Sequence, residues 1–252
     1  MSEIVARLRA AGCVFAEDEA VLLVESAAGP ADLEAMVARR VAGLPLEQVL
    51  GWAEFCGLRI AVDPGVFVPR RRTEVLVREA AARAHRDMVI VDLCCGTGAL
   101  GVALRDTLGG ADLHAADIDP AAVRCARRNL EPDRVHQGDL FAALPASLRG
   151  RVGILLANVP YVPTAEVAFL PGEARDHEAR VALDGGPDGL DVLRRVAAEA
   201  AGWLAPGGHL LFETTERQLP EAVQAVESGG LRAEVAADEE WGATIVIGTR
   251  LS

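Results

Sequence analysis

The 252-residue sequence predicts an α/β fold: a mostly parallel sheet with helices on both faces, behind a small helical domain. Three observations predict it. From residue 88 onward, short apolar runs alternate with amphipathic runs of helical period, the pattern of successive βαβ units. The first of these apolar runs opens straight into Gly96-Thr97-Gly98-Ala99-Leu100-Gly101, a glycine turn leading into a helical pattern. The first fifty residues, by contrast, carry helical periodicity alone.

Taken in order, "IVARLRAAG" sets Ile4, Val5, Leu8 and Cys13 near one helical face, with Gly12 as the stop. "EDEAVLLVESAAG" gives a second helix closed by Gly29, and Pro30 suits the first turn of a third that ends at Gly43. So few residues bury too little surface to stand alone, so residues 1–50 are expected to cap something larger. Residues 51–72 read as a β-hairpin linker, "EFCGLRIAV" and "VFVP" around Asp63-Pro64-Gly65. Thr73 is the expected N-cap of "EVLVREAAARAH", which opens the domain 73–252. There follow "MVIVDL", "ALGVALRDTL", "ADLHAAD", "PAAVRCARRNL", "DRVHQGD" and "GILLAN". A helix over 190–204, the strand "HLLFET", a helix over 219–228 and the strands "LRAEVAA" and "ATIVIGT" close the chain.

Composition narrows the function. The net charge of −12 argues against a broad electrostatic grip on nucleic acid, although Arg70, Arg71 and Arg72 form one local basic run. All 25 basic residues are arginine, which removes Schiff-base, pyridoxal and P-loop lysine chemistry. The five cysteines and five histidines show no metal-ligand spacing, so no metal is expected. The cysteines read as small buried residues, and the histidines as surface positions. No apolar run approaches a membrane span and residues 1–12 do not read as a signal peptide, so the expected location is cytoplasmic.

Charge also decides what the glycine loop holds. With Asp117 about twenty residues on, the loop matches a dinucleotide fingerprint, but a pyrophosphate needs a loop free of negative charge. Here Asp92 ends the first strand, Asp117 and Asp119 the second, and Asp139 follows the third. All four are expected to face the crevice at the carboxyl ends of the strands. An acidic crevice suits a cationic ligand with a ribose and no phosphate, the character of S-adenosylmethionine. Its carboxylate would meet the helix N-terminus, and its ribose diol Asp117.

At the end of the fourth strand stands Asn158-Val159-Pro160-Tyr161, which holds the only tyrosine of the chain. A carboxamide nitrogen is a poor nucleophile because its lone pair is delocalised. A site that methylates it must hold both N–H bonds with acceptors and present the nitrogen face to the methyl group. The carbonyl of Asn158 is one acceptor, a backbone carbonyl stiffened by Pro160 a second, and Tyr161 can wall the flat amide. Catalysis is then positioning and exclusion of water, without a strong base.

"NVPY" resembles the Asn-Pro-Pro-Tyr signature of amino-group methyltransferases. The extended blocks resemble one family nearly end to end, the protein-(glutamine-N5) methyltransferases of the HemK/PrmC type, which act on peptide chain release factors. "GLPLEQVLGWAEFCGLRIAVDPGVFVPRRRTEVLV" resembles that family's linker, which ends in Ile-Pro-Arg-Pro-Glu-Thr-Glu. "VDLCCGTGALGVAL", "AADIDPAAVRCARRN", "GDLF", "LLANVPYVP", "HEARVALDGGPDGLDVLRRV" and "LAPGGHLLFETTERQ" follow in family order. The resemblance implies a class I, Rossmann-like methyltransferase using S-adenosylmethionine on a glutamine amide of a protein such as a release factor. It implies a cofactor loop at Cys94, Cys95, Gly96, Thr97 and Gly98, a ribose acid at Asp117, and an adenine-side block at Asp139 and Leu140. Asn158 to Tyr161 take the glutamine. Departures are Cys94-Cys95 for Gly-Thr, Val159 for the first proline, and "RRRTE" for Arg-Pro-Glu-Thr-Glu. Two alternatives stay open at this point: a nucleic-acid amino methyltransferase, and a non-catalytic regulator that binds the same cofactor.

Overall fold

A computed structural model describes residues 1–251; Ser252, the last residue of the third expected segment, lies outside the described residues. Four helices open the chain: α1 (Ser2–Ala10), α2 (Ala16–Ser26), α3 (Pro30–Val41) and the short α4 (Leu46–Leu50). Pro30 begins α3 as expected, since its missing N–H would be unsatisfied there in any case. Leu8, Leu23, Met36, Val37 and Val49 give these helices a buried cluster of their own.

β1 (Trp52–Phe55) and β2 (Leu58–Ala61) form an antiparallel hairpin. Its turn is Cys56-Gly57, with φ of 50° and 73°, and not Asp63-Pro64-Gly65. A two-residue hairpin turn with both φ positive matches strand twist, and the glycine takes that region at no steric cost. Residues 66–69 do not pair as a strand.

Next come α5 (Glu74–Ala81), β3 (Val89–Leu93), α6 (Ala99–Thr107), β4 (Asp112–Asp117) and α7 (Pro120–Asn129). β5 (Val135–Gln137), β6 (Val152–Ala157), α8 (Gly172–His177) and α9 (Asp191–Trp203) follow. β7 (Leu204–Thr214), α10 (Leu219–Ser228), β8 (Arg232–Asp238) and β9 (Ala243–Thr249) complete the chain. The seven-stranded sheet runs β5-β4-β3-β6-β7-β9-β8, parallel except that β9 is antiparallel to both of its neighbours.

Both faces of the central strands are buried, which is why they read as continuous apolar runs. Val89, Val91, Leu93 and Leu155 face α9 and α10. Ile90, Ile154 and Leu156 face α5, α6 and α7. The order reverses beside β3, so the carboxyl ends of β3, β4 and β6 open on one crevice, where ligands of open α/β sheets bind. Thr73 does not cap α5: its hydroxyl donates to Glu213 Oε2 at 2.8 Å. His114 is also not at the surface. It is 5% exposed, stacked on His136 and hydrogen-bonded to it at 3.0 Å.

Candidate active site

A cavity of about 740 Å³ lies over the carboxyl ends of β3, β4 and β6. Its floor includes Cys94 to Thr97, Asp117, Asp139, Leu140 and Asn158 to Tyr161, so nearly all the residues expected to act together do meet there. Its roof comes from residues 66–72 and 170–183.

The side of the cavity expected to take the cofactor is built from backbone. Cys95 N–H donates to Ala116 O at 3.1 Å, tying the loop to β4, and Gly98 N–H to Cys95 O at 2.7 Å closes the turn. Cys94 and Leu140 hold φ of 53° and 48°. Side chains rarely adopt this region, so the chain carries local strain on both sides of the cavity. The Asp117 carboxylate is oriented by two donors, Gly96 N–H to Oδ2 at 2.8 Å and Asp119 N–H to Oδ1 at 2.9 Å. Each oxygen keeps acceptor capacity for a ligand. Burial raises its pKa against the lowering effect of those donors. Asp139 is paired across the rim with Arg195 at 2.6 Å.

Two expected contacts differ. Asp92 does not face the cavity; it is completely buried beneath the loop, where Oδ2 accepts from Gly101 N–H at 3.0 Å. Gly98 does not line the cavity either. It packs on α7, where a Cβ would come within 2.8 Å of Leu130 Cδ1. These two residues shape the loop from behind. Burial pushes the Cys94 and Cys95 thiols well above the ordinary range, so neither is a thiolate nucleophile at neutral pH.

On the other side, Asn158 Oδ1 is buried without a hydrogen-bond partner among the described residues. Val159, 2% exposed, fills the main core with its side chain, and among the described residues its carbonyl takes no loop hydrogen bond. Tyr161 is braced at both ends: its hydroxyl accepts from Arg72, and its carbonyl from Gln218 Nε2 at 2.9 Å. Burial raises the phenol pKa, with the Glu213 charge adding and Arg72 opposing.

A loop over 183–189 buttresses this motif. Val162 N–H donates to Leu183 O at 3.0 Å, and Gly185 N–H to Val162 O at 2.8 Å. Gly189, with φ of 82°, lies so close that a Cβ would meet Tyr161 O at 2.2 Å. Gln218 joins the two segments by a second bond, to Asp188 O at 2.9 Å. Sequence reasoning assigned no role to Gln218, Gly185 or Gly189. The signal was present as three glycines among the five residues Gly185 to Gly189.

The chain is similar to known proteins. Residues 57–171 match the family model described as "Methyltransferase small domain". The release factor glutamine methyltransferase of Geobacter sulfurreducens is 40% identical over 71% of this chain and 63% of its own length. That of Deinococcus radiodurans is 34% identical over 94% of this chain and 92% of its own. The chain belongs to the release factor glutamine methyltransferase family. A methyltransferase structure from Pyrococcus furiosus shares the fold, with a TM-score of 0.59 at 14% identity over 88% of this chain and all of the other. Within the family pattern, the departures noted above fall around the cavity: Cys94 in the loop, Val159 beside Asn158, and Arg72 in the roof.

Proposed function

We propose that the chain transfers a methyl group from S-adenosylmethionine to the side-chain amide nitrogen of a glutamine in a protein, a peptide chain release factor or a similar one. The observation that carries this reading is Asn158 itself, which lines the cavity floor and whose Oδ1 is buried without a hydrogen-bond partner among the described residues. A buried acceptor without a donor costs on the order of 1–3 kcal/mol, and a substrate N–H supplies the missing donor.

The residues present fit the cofactor. Asp117, Asp119 and Asp139 make one wall acidic, which suits a sulfonium and an ammonium, and the oriented Asp117 carboxylate suits a ribose diol. Cys94 to Thr97 would supply backbone to its amino-acid end. When bound, the cofactor would supply an electrophilic methyl group for the amide nitrogen, with its thioether as the leaving group and the amide proton released to solvent once the roof opens. The chain's own part is orientation. Asn158 Oδ1 and the Val159 carbonyl accept the two amide N–H bonds, Tyr161 walls the plane, and the roof excludes water. No histidine lines the cavity among the described residues, and Tyr161 is tied up by Arg72. The low nucleophilicity of the amide is met by geometry.

Tritiated methyl transfer to purified release factors, RNA and DNA, with mass spectrometry of the product, tests this. The expected label is on a glutamine N5, and Asn158→Ala should lower the rate about 10²–10³-fold while cofactor affinity persists. Label on RNA or DNA alone, or an undiminished rate in the variant, would overturn it.

A further inference from the structure

Arg72 stands where the family linker has glutamate, a reversal of charge in the cavity wall. Its guanidinium is engaged on two sides. Nε pairs with Glu213 Oε1 at 2.7 Å, and an Nη2 N–H donates to the Tyr161 hydroxyl. The guanidinium carbon lies 5.8 Å from the Tyr161 ring centroid. Glu213, 4% exposed at the end of β7, takes a second bond from Thr73 Oγ1 at 2.8 Å. A glutamate at position 72 would set two carboxylates against each other; the arginine compensates Glu213 and is anchored by it. The planar fork can hold two acceptors at a fixed angle, which a lysine ammonium cannot. Because Gln218 already fixes the Tyr161 carbonyl, what remains free is the ring, and Arg72 closes that freedom.

We infer that Arg72 is a positioning residue that fixes the Tyr161 ring as the wall against which the substrate amide lies. This rests on reading the cavity as a glutamine-methylating site. Its role is to narrow the orientations of the amide plane, so its loss should appear in methyl transfer and not in cofactor binding.

Tyr161 is the only tyrosine, so a single tyrosine carbon-13 resonance reports its environment without reference to activity. Arg72→Lys keeps a charge for Glu213 but cannot hold both partners. Because Arg72→Ala would leave Glu213 buried and alone, the neutral comparison is Arg72→Ala with Glu213→Gln. In both variants the tyrosine resonance should move, because the phenol oxygen loses the hydrogen bond from Arg72. In Arg72→Lys, where Glu213 keeps its charge, the tyrosine titration should also move upward, since Arg72 opposes the rise that burial causes. The kcat/KM for a release factor should fall about tenfold or more, the scale of one charge-assisted hydrogen bond, with cofactor affinity unchanged. An unmoved tyrosine resonance, or full transfer in both variants, would overturn the inference. If wild type transfers no methyl to a release factor while the resonance still moves, the functional reading has failed and the Arg72–Tyr161 coupling stands.

Discussion

At the scale of single residues, Asp92 departs from the other acids expected in the crevice. It was expected in the crevice because it ends a strand beside other acids, yet its carboxylate turns under the loop to Gly101 N–H. Gly101 allows this approach, since a Cβ there would meet Leu113 at 2.9 Å and Asp92 Oδ2 at 3.3 Å. Burial, with the Asp117 charge adding to it and the Gly101 N–H opposing, pushes the Asp92 carboxyl up from 3.8 to about 8. The folded chain therefore keeps a proton that the unfolded chain releases above about pH 4. Stability from this group falls as pH rises from about 4 to about 8 and is level beyond. Asp92→Asn removes the titration. The stability of the variant relative to wild type should thus climb across that window by an amount on the order of a few kcal/mol. Urea unfolding at pH 5, 6.5 and 8.5 measures it, and parallel pH profiles would show that Asp92 ionises freely in the folded chain.

At the scale of elements, local signals and long-range contacts were unequally legible. The βαβ alternation located the strands of the large sheet, although β7 begins at Leu204, five residues before the expected start. The central strands were the plainest, because strands buried on both faces read as near-continuous apolar runs. The end of β6 was equally readable, since an amide, a proline and a tyrosine after such a run have few packing reasons to be there. The hairpin turn was misjudged because Cys56-Gly57 is a weaker turn signal than Asp-Pro-Gly. Thr73 looked like a cap because its true partner, Glu213, is 140 residues away. The loop over 183–189 belongs to this second kind: its glycines answer to what crosses them in space, and at Gly186 and Gly189 to a positive φ as well. A Cβ on Gly185 would lie 2.6 Å from both Pro160 O and Gly189 O, backbone atoms that cannot swing aside. Gly185→Ala should therefore shift the buttress off Pro160 and Tyr161 and cost about 1–3 kcal/mol of stability by overpacking. Methyl transfer should fall well beyond that loss while S-adenosylmethionine affinity holds, because the proposed cofactor loop, residues 94–98, does not pack on this buttress. Calorimetry beside a transfer assay distinguishes this from general unfolding, in which both would decline together.

At the scale of the whole molecule, the helical unit is joined to the cavity roof by buried polar groups. Gln48 of α4 donates to Val66 O at 3.1 Å and to His177 O at 3.0 Å, and accepts from Gly65 N–H at 3.2 Å. Arg40 of α3 forks onto Glu19 at 2.6 and 2.9 Å and reaches Glu173 of α8 at 2.6 Å. Glu173 lines the cavity, so one guanidinium links the core of the helical unit to the site. With Arg40 8% and Glu19 10% exposed, breaking the pair leaves a buried carboxylate alone. Arg40→Met should thus cost about 3–5 kcal/mol. Replacing both charges, Arg40→Met with Glu19→Met, should return most of that stability, because an apolar pair of similar volume fits such a position without the desolvation cost. The double variant still lacks the Glu173 link, which leaves Gln48 as the remaining one of these two polar ties between the helical unit and the roof. Its methyl transfer should stay within a few-fold of wild type and drop about tenfold or more once Gln48→Ala is added, while the unfolding midpoint of the large sheet barely moves. Denaturant unfolding followed by tryptophan fluorescence, beside a transfer assay on wild type and the same three variants, measures both quantities. Undiminished transfer in the triple variant would mean that the roof holds its place over the cavity without the helical unit.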